Sequence, residues 1–379
     1  MDIDSKKIFK TLNPKNVWIP IVIGVGIVFY LFASDESIRV EDLRLVLNAK
    51  TLPIILAFLV LFMRDAGYVA RLRTITGKEL SWGSCVFTII MWEFASAVTP
   101  SVVGGTAVAV FIMNKEGLNL GKSLAFVMVT AIFDNLFFVV AAPLILLVTG
   151  GDIFPEVATI AKLGINLKAV FYVSYSLIAF YTSVMAFALF VRPRGFKWLL
   201  IRLTSNRLLK RWRYKAYEHG NEIIMASAQL KGKGFAYWFK ISLFTIFIWS
   251  ARYILLNALM SAFAGIDLNG HLTIFARQII LWIVMLFSPT PGSSGTAELA
   301  FPVFFENFLG NYTIGTNILW RLFTYYLYLL LGALVLPRWI RRVFFKKKAE
   351  EDKLKARKEE KANNGGGTKK AGTHGDTGN

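Results

Sequence analysis

Long apolar blocks set the terms for this chain. They lie at residues 17–33, 51–63, 82–98, 123–149, 169–191, 235–264, 272–287 and 312–336, with short polar or basic stretches between them. A helix needs about 20 predominantly apolar residues to cross a bilayer core, and several blocks reach that length. Every backbone N–H and C=O in hydrocarbon must be paired internally, which unbroken helices achieve. A transmembrane barrel would show alternating segments of about ten residues instead. With 379 residues, 55% of them hydrophobic and 32 of them Phe, the expected fold class is an all-α polytopic membrane protein.

Charge predicts the orientation. The formal net charge is +19, and residues 192–234 hold eleven Lys/Arg against two Glu, while residues 338–379 hold thirteen against six acids. The positive-inside rule puts both segments in the cytoplasm, and the same clusters could gather anionic headgroups at that leaflet. The basic residues flank membrane segments, so no nucleic-acid partner is expected. Lys6, Lys7, Lys10 and Lys15 precede the first block, and no small-residue cleavage site follows it, which predicts a retained helix and a cytoplasmic N-terminus. The single cysteine, Cys85, excludes an intramolecular disulfide. His219, His271 and His374 are scattered, so neither a metal site nor a cofactor is expected. The tail at 346–379 is charged, then rich in Gly, Asn and Thr, the composition of a disordered segment.

The chain also carries an internal repeat. VTPSVVGGTAVAVF (98–111) resembles PTPGSSGTAELAF (289–301), and LVLFMRDAGYVARL (59–72) resembles FIWSARYILLNAL (247–259), with Arg64 aligned to Arg252. Loop charges let each half be traced separately. The stretch at 82–111 begins and ends inside, broken at Thr99-Pro100. The stretch at 272–305 begins and ends outside, broken at 288–295. The expectation is an inverted-topology repeat with two broken or re-entrant helical hairpins, an architecture that binds substrates near the midplane. The predicted organisation is membrane repeat 1 at 1–191, a basic cytoplasmic loop at 192–234, the repeat 2 core at 235–345, and the tail.

The candidate gates are Thr99, Pro100, Gly104 and Gly105 in the first hairpin, and Pro289, Pro291, Gly292, Ser293, Ser294 and Gly295 in the second. A broken backbone at membrane depth is tolerated where protein covers it or water bathes it; the plainer reading is close packing at a proline kink. Glu298 follows the second break, and a carboxylate at that depth must find a partner. Arg64, Arg252, Arg277 and Arg321 are the candidates; Glu93 and Asp134 are further acids within apolar blocks. These charges either pair to hold the bundle together or line a hydrated path for an anionic headgroup, since the guanidinium fork donates two hydrogen bonds at once to phosphate. The substrate-binding set is Arg64, Arg252, Arg277, Arg321, Glu298, Asp134 and Glu93. Ser293-Ser294-Gly295 resembles a nucleophile turn only loosely, and the glycine motifs lack the strand context of a nucleotide loop; no enzyme activity is expected.

The TPSVVGG and PTPGSSGTAE hairpins, the mid-helix arginines and the length resemble the lysylphosphatidylglycerol synthase transmembrane-region family, the YbhN/AglD-like flippases, over residues 8–345. The family includes the flippase domain of the multiple peptide resistance factor. The resemblance implies a bundle that moves or binds lipids between leaflets, with aminoacylated or other anionic phospholipids, or polyprenyl-linked lipids, as clients. The chain departs from that pattern in two ways. A low-complexity tail stands where a soluble aminoacyl-transferase domain would follow, so lysyl-lipid synthesis is not expected. Asp134 in TAIFDNL has no adjacent arginine, where relatives pair an acid with one. The leading expectation is a lipid flippase in the cell's inner membrane. The alternatives are a non-transporting lipid-binding subunit that recruits a cytoplasmic lipid-modifying enzyme through 192–234, or a small-solute secondary transporter.

Overall fold

A computed structural model describes residues 45–99, 102–149, 153–155, 159–160, 165–206, 209–286, 288 and 290–342. The apolar block at 17–33, the hairpin residues Pro100 and Pro289, and the 346–379 tail lie outside the described residues. The chain divides into two compact units, Met1–Ala333 and Leu334–Asn379, and every candidate site residue belongs to the first. Six helical stretches among the described residues are long and apolar enough to cross a membrane. The all-α polytopic expectation is met, with one two-residue antiparallel ladder, Thr159–Ile160 with Ile165–Asn166, in the connection between two of the spans.

The helices are α1 (Thr51–Ile75), α2 (Trp82–Val98), α3 (Val102–Lys115), α4 (Leu120–Thr149), α5 (Leu167–Ala186), α6 (Pro193–Leu203), α7 (Arg213–Leu230), α8 (Phe235–Ser261), α9 (Leu268–Met285), α10 (Thr296–Leu309) and α11 (Thr313–Arg321). A π-helical turn, Phe187–Val191, extends α5, and a second, Leu322–Tyr326, extends α11. Polar caps mark several starts. Ser81 accepts the Ser84 N–H before α2, Asn166 the Ala169 N–H before α5, and Asp267 the Gly270 N–H before α9, each satisfying a donor that the first turn leaves open.

Helix α1 and helix α8 form the most extensively packed pair. They run antiparallel: the Lys50 N–H donates to the Ala262 carbonyl at one end, and the Tyr237 hydroxyl donates to the Ile75 carbonyl at the other. Association in lipid relies on close fit rather than on hydrophobic burial. Gly67 supplies that fit, since a Cβ there would sit 3.0 Å from the Phe247 and Ile248 side chains. On α1, Ala57, Leu61, Arg64, Tyr68, Arg71 and Ile75 are buried, whereas Leu52, Ile55, Phe58, Leu59 and Phe62 are exposed. This division at helical spacing gives one face to protein and one to lipid. The block ending at Met63 was too short an expectation for this span, because Arg64, Asp65 and Arg71 are held inside it.

Two short hairpins enter from opposite ends of the α1/α8 pair. Helices α2 and α3 pack together, and α2 begins beside the end of α1, where the Arg73 guanidinium donates to the Leu80 carbonyl. Helices α9 and α10 begin and end at the other side, where α9 starts beside Phe308 of α10. Helices α3 and α10, of 14 residues each, reach roughly 21 Å at 1.5 Å per residue, short of a bilayer core of about 30 Å, while α2 and α9, of 17 and 18, come closer to it. The described residues of 192–234 are folded: α6 packs on α7, with Gly220 against the Lys197 stem, and α7 packs on α4.

Candidate functional site

The break in the second hairpin owes its shape to glycine. Gly292 has φ 55° and Gly295 φ 86°, backbone conformations that glycine adopts without steric cost. A Cβ at Gly292 would also lie 2.0 Å from the Tyr325 ring. The Tyr325 hydroxyl donates to the Ala97 carbonyl at 3.0 Å and accepts from Ser294 Oγ at 3.1 Å, with the Pro291 carbonyl 3.3 Å away. One side chain thus joins the end of α2 to the break before α10, and the tips of the two hairpins meet there. The first tip is tight as well: a Cβ at Gly105 would meet Ser96 Oγ at 2.3 Å. Thr99 Oγ1 donates to the Ala95 carbonyl, and Gly104 lies within α3.

Glu298 sits on the first turn of α10, as its place after the break predicts. Its Oε2 accepts the Gly295 N–H at 2.6 Å and its Oε1 accepts from Arg321 Nε at 2.8 Å. The carboxylate therefore caps the half-helix and neutralises a cation at once. The pair is buried, at 1% exposure for Glu298 and 5% for Arg321. The guanidinium stacks 3.9 Å from the Tyr325 ring centroid. Of the four arginines offered as partners for Glu298, Arg321 is the one that pairs.

The other candidates form a connected polar interior. Arg64 pairs with Asp65 at 2.8 Å and donates to the Tyr328 hydroxyl, which itself donates to Asp65 at 2.6 Å. Asp134 has an arginine after all, brought from another helix. Arg71 reaches it at 2.5 Å from α1, and the Trp249 indole N–H donates to the same carboxylate at 2.9 Å. Arg71 is itself buried. Tyr68 stands between these groups, with Arg64 and Arg71 over its ring and Arg252 reaching its hydroxyl at 3.4 Å. Arg277 is placed apart from this network: it donates to the Ile153 and Phe304 carbonyls and does not line the cavity at the hairpin tips.

That cavity, of about 240 Å³, lies between the tips and α8 and is lined by Glu93, Arg252, Tyr253, Gln278, Ser293 and Arg321 among others. It has room for about eight waters at liquid density. Arg252 and Glu93 meet at 3.3 Å with their side chains 23% and 22% exposed, the longest of the arginine–carboxylate pairs among the described residues and the one whose arginine is most open. Arg252 Nε and the Tyr253 hydroxyl are buried without hydrogen-bond partners. The Arg252 Nε–H is thus enclosed and unsatisfied, and the Nη2 contacts to Glu93 and Tyr68, at 3.3 and 3.4 Å, are long. Trp282, stacked on Phe138 at 3.7 Å, closes an aromatic wall. A cavity with two guanidinium groups in its lining is chemically suited to an oxyanion.

Comparison with known proteins bears on this arrangement. The sequence profile described as the lysylphosphatidylglycerol synthase TM region matches residues 17–332. The chain belongs to that family. It is also 28% identical over 326 residues to a protein named "UPF0104 membrane protein" from Archaeoglobus fulgidus, covering 83% of this chain and 94% of that one. It is a multi-pass membrane protein, and the hairpins, the cavity and their arginines all fall within the matched region.

Sequence reasoning missed Arg71, Tyr68, Tyr325, Tyr328, Trp249 and Gln278. A spacing test would have raised several of them. Arg64, Tyr68 and Arg71 follow i, i+4, i+7 on α1, as do Thr245, Trp249 and Arg252 on α8, the spacing of one helix face.

Proposed function

We propose that this protein is a membrane lipid transporter. It admits the phosphate of a lipid headgroup to the cavity between the two hairpin tips while the acyl chains stay in the bilayer. The observation that carries the reading is Arg252: a cation at membrane depth, loosely paired with Glu93, with an unpartnered Nε beside a cavity it shares with Arg321. A permanent charge held there without a client is costly. An anionic oxygen in the cavity would offer its guanidinium a closer acceptor than Glu93 does at 3.3 Å. The client class is an anionic or aminoacylated phospholipid or a polyprenyl-linked lipid, all of which carry the phosphate that this chemistry recognises.

The two halves are read as an inverted-topology repeat. Support comes from hairpins that enter from opposite ends of the α1/α8 pair and from the alignment of Arg64 with Arg252 at the helices where the halves meet. Rocking of one half against the other would then expose the cavity to each leaflet in turn. The basic 192–234 segment faces the cytoplasm on this reading, in a cell's inner membrane, and the role is transport rather than catalysis. The test is translocation of labelled lipids in proteoliposomes, across phosphatidylglycerol, phosphatidylcholine and polyprenyl-phosphate lipids. Movement of a phosphate-bearing class above empty vesicles is expected. No movement of any class, with or without an ion gradient, would favour a lipid-binding subunit that serves a separate enzyme.

A further inference from the structure

A second feature lies away from the hairpin cavity, at the basic end of α5. The apolar span Leu167–Val191 ends there, at Arg192. A cavity of about 640 Å³ opens at that level, lined by the π turn through Leu189, Phe190 and Val191, by Arg192 and Arg194, and by Lys231 at the end of α7. These three cations are exposed and form no ion pair among the described residues. Phe190 also lines a second hollow, of about 400 Å³, that runs into the membrane layer between α4 and α5, walled by Leu136, Val139, Ala179, Ala186 and Trp238. A charged pocket at the basic end of the span thus borders an apolar hollow, with Phe190 in the lining of both.

The adjoining helix fixes the depth. Helix α6 carries Trp198, Leu199 and Leu203 exposed to the surroundings, with Arg202 against the Trp198 ring and Lys197 bonded to Asn221 of α7. Exposed aromatic and aliphatic residues with interspersed cations give this short helix the character of one suited to a headgroup layer. The π turn adds a second reason to expect a site, because such local widening is concentrated at functional positions.

We infer that this is a binding site for one anionic phospholipid of the basic-side leaflet, with its phosphate among Arg192, Arg194 and Lys231 and an acyl chain in the α4/α5 groove against Phe190 and Trp238. Charge complementarity selects the headgroup, and the adjoining apolar hollow selects a membrane lipid over a soluble phosphate. The site is separate from the hairpin cavity and stands whether or not that cavity transports lipid. An occupied groove would tie α4 to α5 and hold α6 against the membrane surface.

The experiment uses the full chain in nanodiscs of phosphatidylcholine, to which phosphatidylglycerol with brominated acyl chains is added. Bromine quenches nearby tryptophan, and the Trp238 contribution is the difference between the wild type and Trp238→Phe. Saturable quenching of Trp238 by brominated phosphatidylglycerol is expected, and brominated phosphatidylcholine should compete at least about tenfold more weakly. The combined Arg192→Gln, Arg194→Gln, Lys231→Gln variant, altered only at exposed positions, should abolish that preference. Ala186→Phe, which fills the groove, should abolish the quenching with the cations intact. Equal quenching by both lipids, or a preference that survives loss of the three cations, would overturn the site. Displacement of the lipid by millimolar inorganic phosphate would overturn the lipid as its occupant.

Discussion

Arg321 and Arg252 reach the same cavity from α11 and α8, yet their carboxylate partners hold them differently. Arg321 meets Glu298 at 2.8 Å with both side chains almost fully enclosed, and Glu298 also caps α10. Arg252 meets Glu93 at 3.3 Å, both about a fifth exposed, and keeps an unpartnered Nε. The first pair is committed to the shape of the break. The second has bonding capacity left over, which is what a site for a passing anion requires. The same two residue types at the same depth thus separate into a structural pair and an available one through burial and the number of bonds already made.

That contrast can be broken by substitution. Glu298→Ala leaves Arg321 enclosed without its counter-charge and removes the cap, and should cost about 3–5 kcal/mol. The fall in melting temperature in detergent should exceed that caused by Gly292→Ala, Tyr325→Phe or Lys122→Gln, and a melting temperature near wild type would mean that water rescues Arg321. Even Glu298→Gln, which retains an acceptor for the Gly295 N–H, should destabilise. The enclosure of the pair is the reason, since a neutral amide leaves the Arg321 charge buried without its counter-ion.

Gly292→Ala should follow, at about 1–3 kcal/mol, because its Cβ must enter the Tyr325 ring at a positive φ. Urea unfolding of the purified protein would read this, and a neutral effect would show that the tip is free to shift. Tyr325→Phe keeps the ring but deletes the hydroxyl between the Ala97 carbonyl and Ser294, a loss of about 1 kcal/mol by the same measurement. An effect below measurement would mean that the tips are held by other contacts. As a control, Lys122→Gln removes a pair with Glu79 that is partly open to solvent and should change stability by less than about 1 kcal/mol.

Much of the fold was legible because hydrocarbon leaves so few choices. Long apolar blocks become helices, and Thr-Pro and Pro-Gly clusters at membrane depth mark broken hairpins. The exit of α1 was misplaced because Arg64 and Asp65 look like the polar edge of a span, when Asp65, Tyr328 and Asp134 supply the bonds that keep Arg64 and Arg71 inside it. The pairing of Glu298 could not be ranked among four arginines from the sequence, since the packing of α11 on α10 decides it. Asp134 found Arg71 across 63 residues for the same reason. The π turn at Leu322–Tyr326, which presents Thr324 and Tyr325 to the cavity, has no proline or glycine to announce it. The i, i+4, i+7 stripes on α1 and α8, by contrast, are visible in the sequence, and they mark the face on which the buried charges meet.

Whether Arg252 is the available cation is decided by lipid translocation in phosphatidylglycerol proteoliposomes carrying Arg252→Gln. Melting temperatures of both proteins are measured first, so that transport is compared between equally folded samples. The account predicts a melting temperature close to wild type and a translocation rate lowered at least about tenfold, consistent with the loss of a charge-assisted hydrogen bond to phosphate. Unchanged translocation by a stably folded Arg252→Gln protein would contradict it and return Arg252 to the role of one more strut in the bundle.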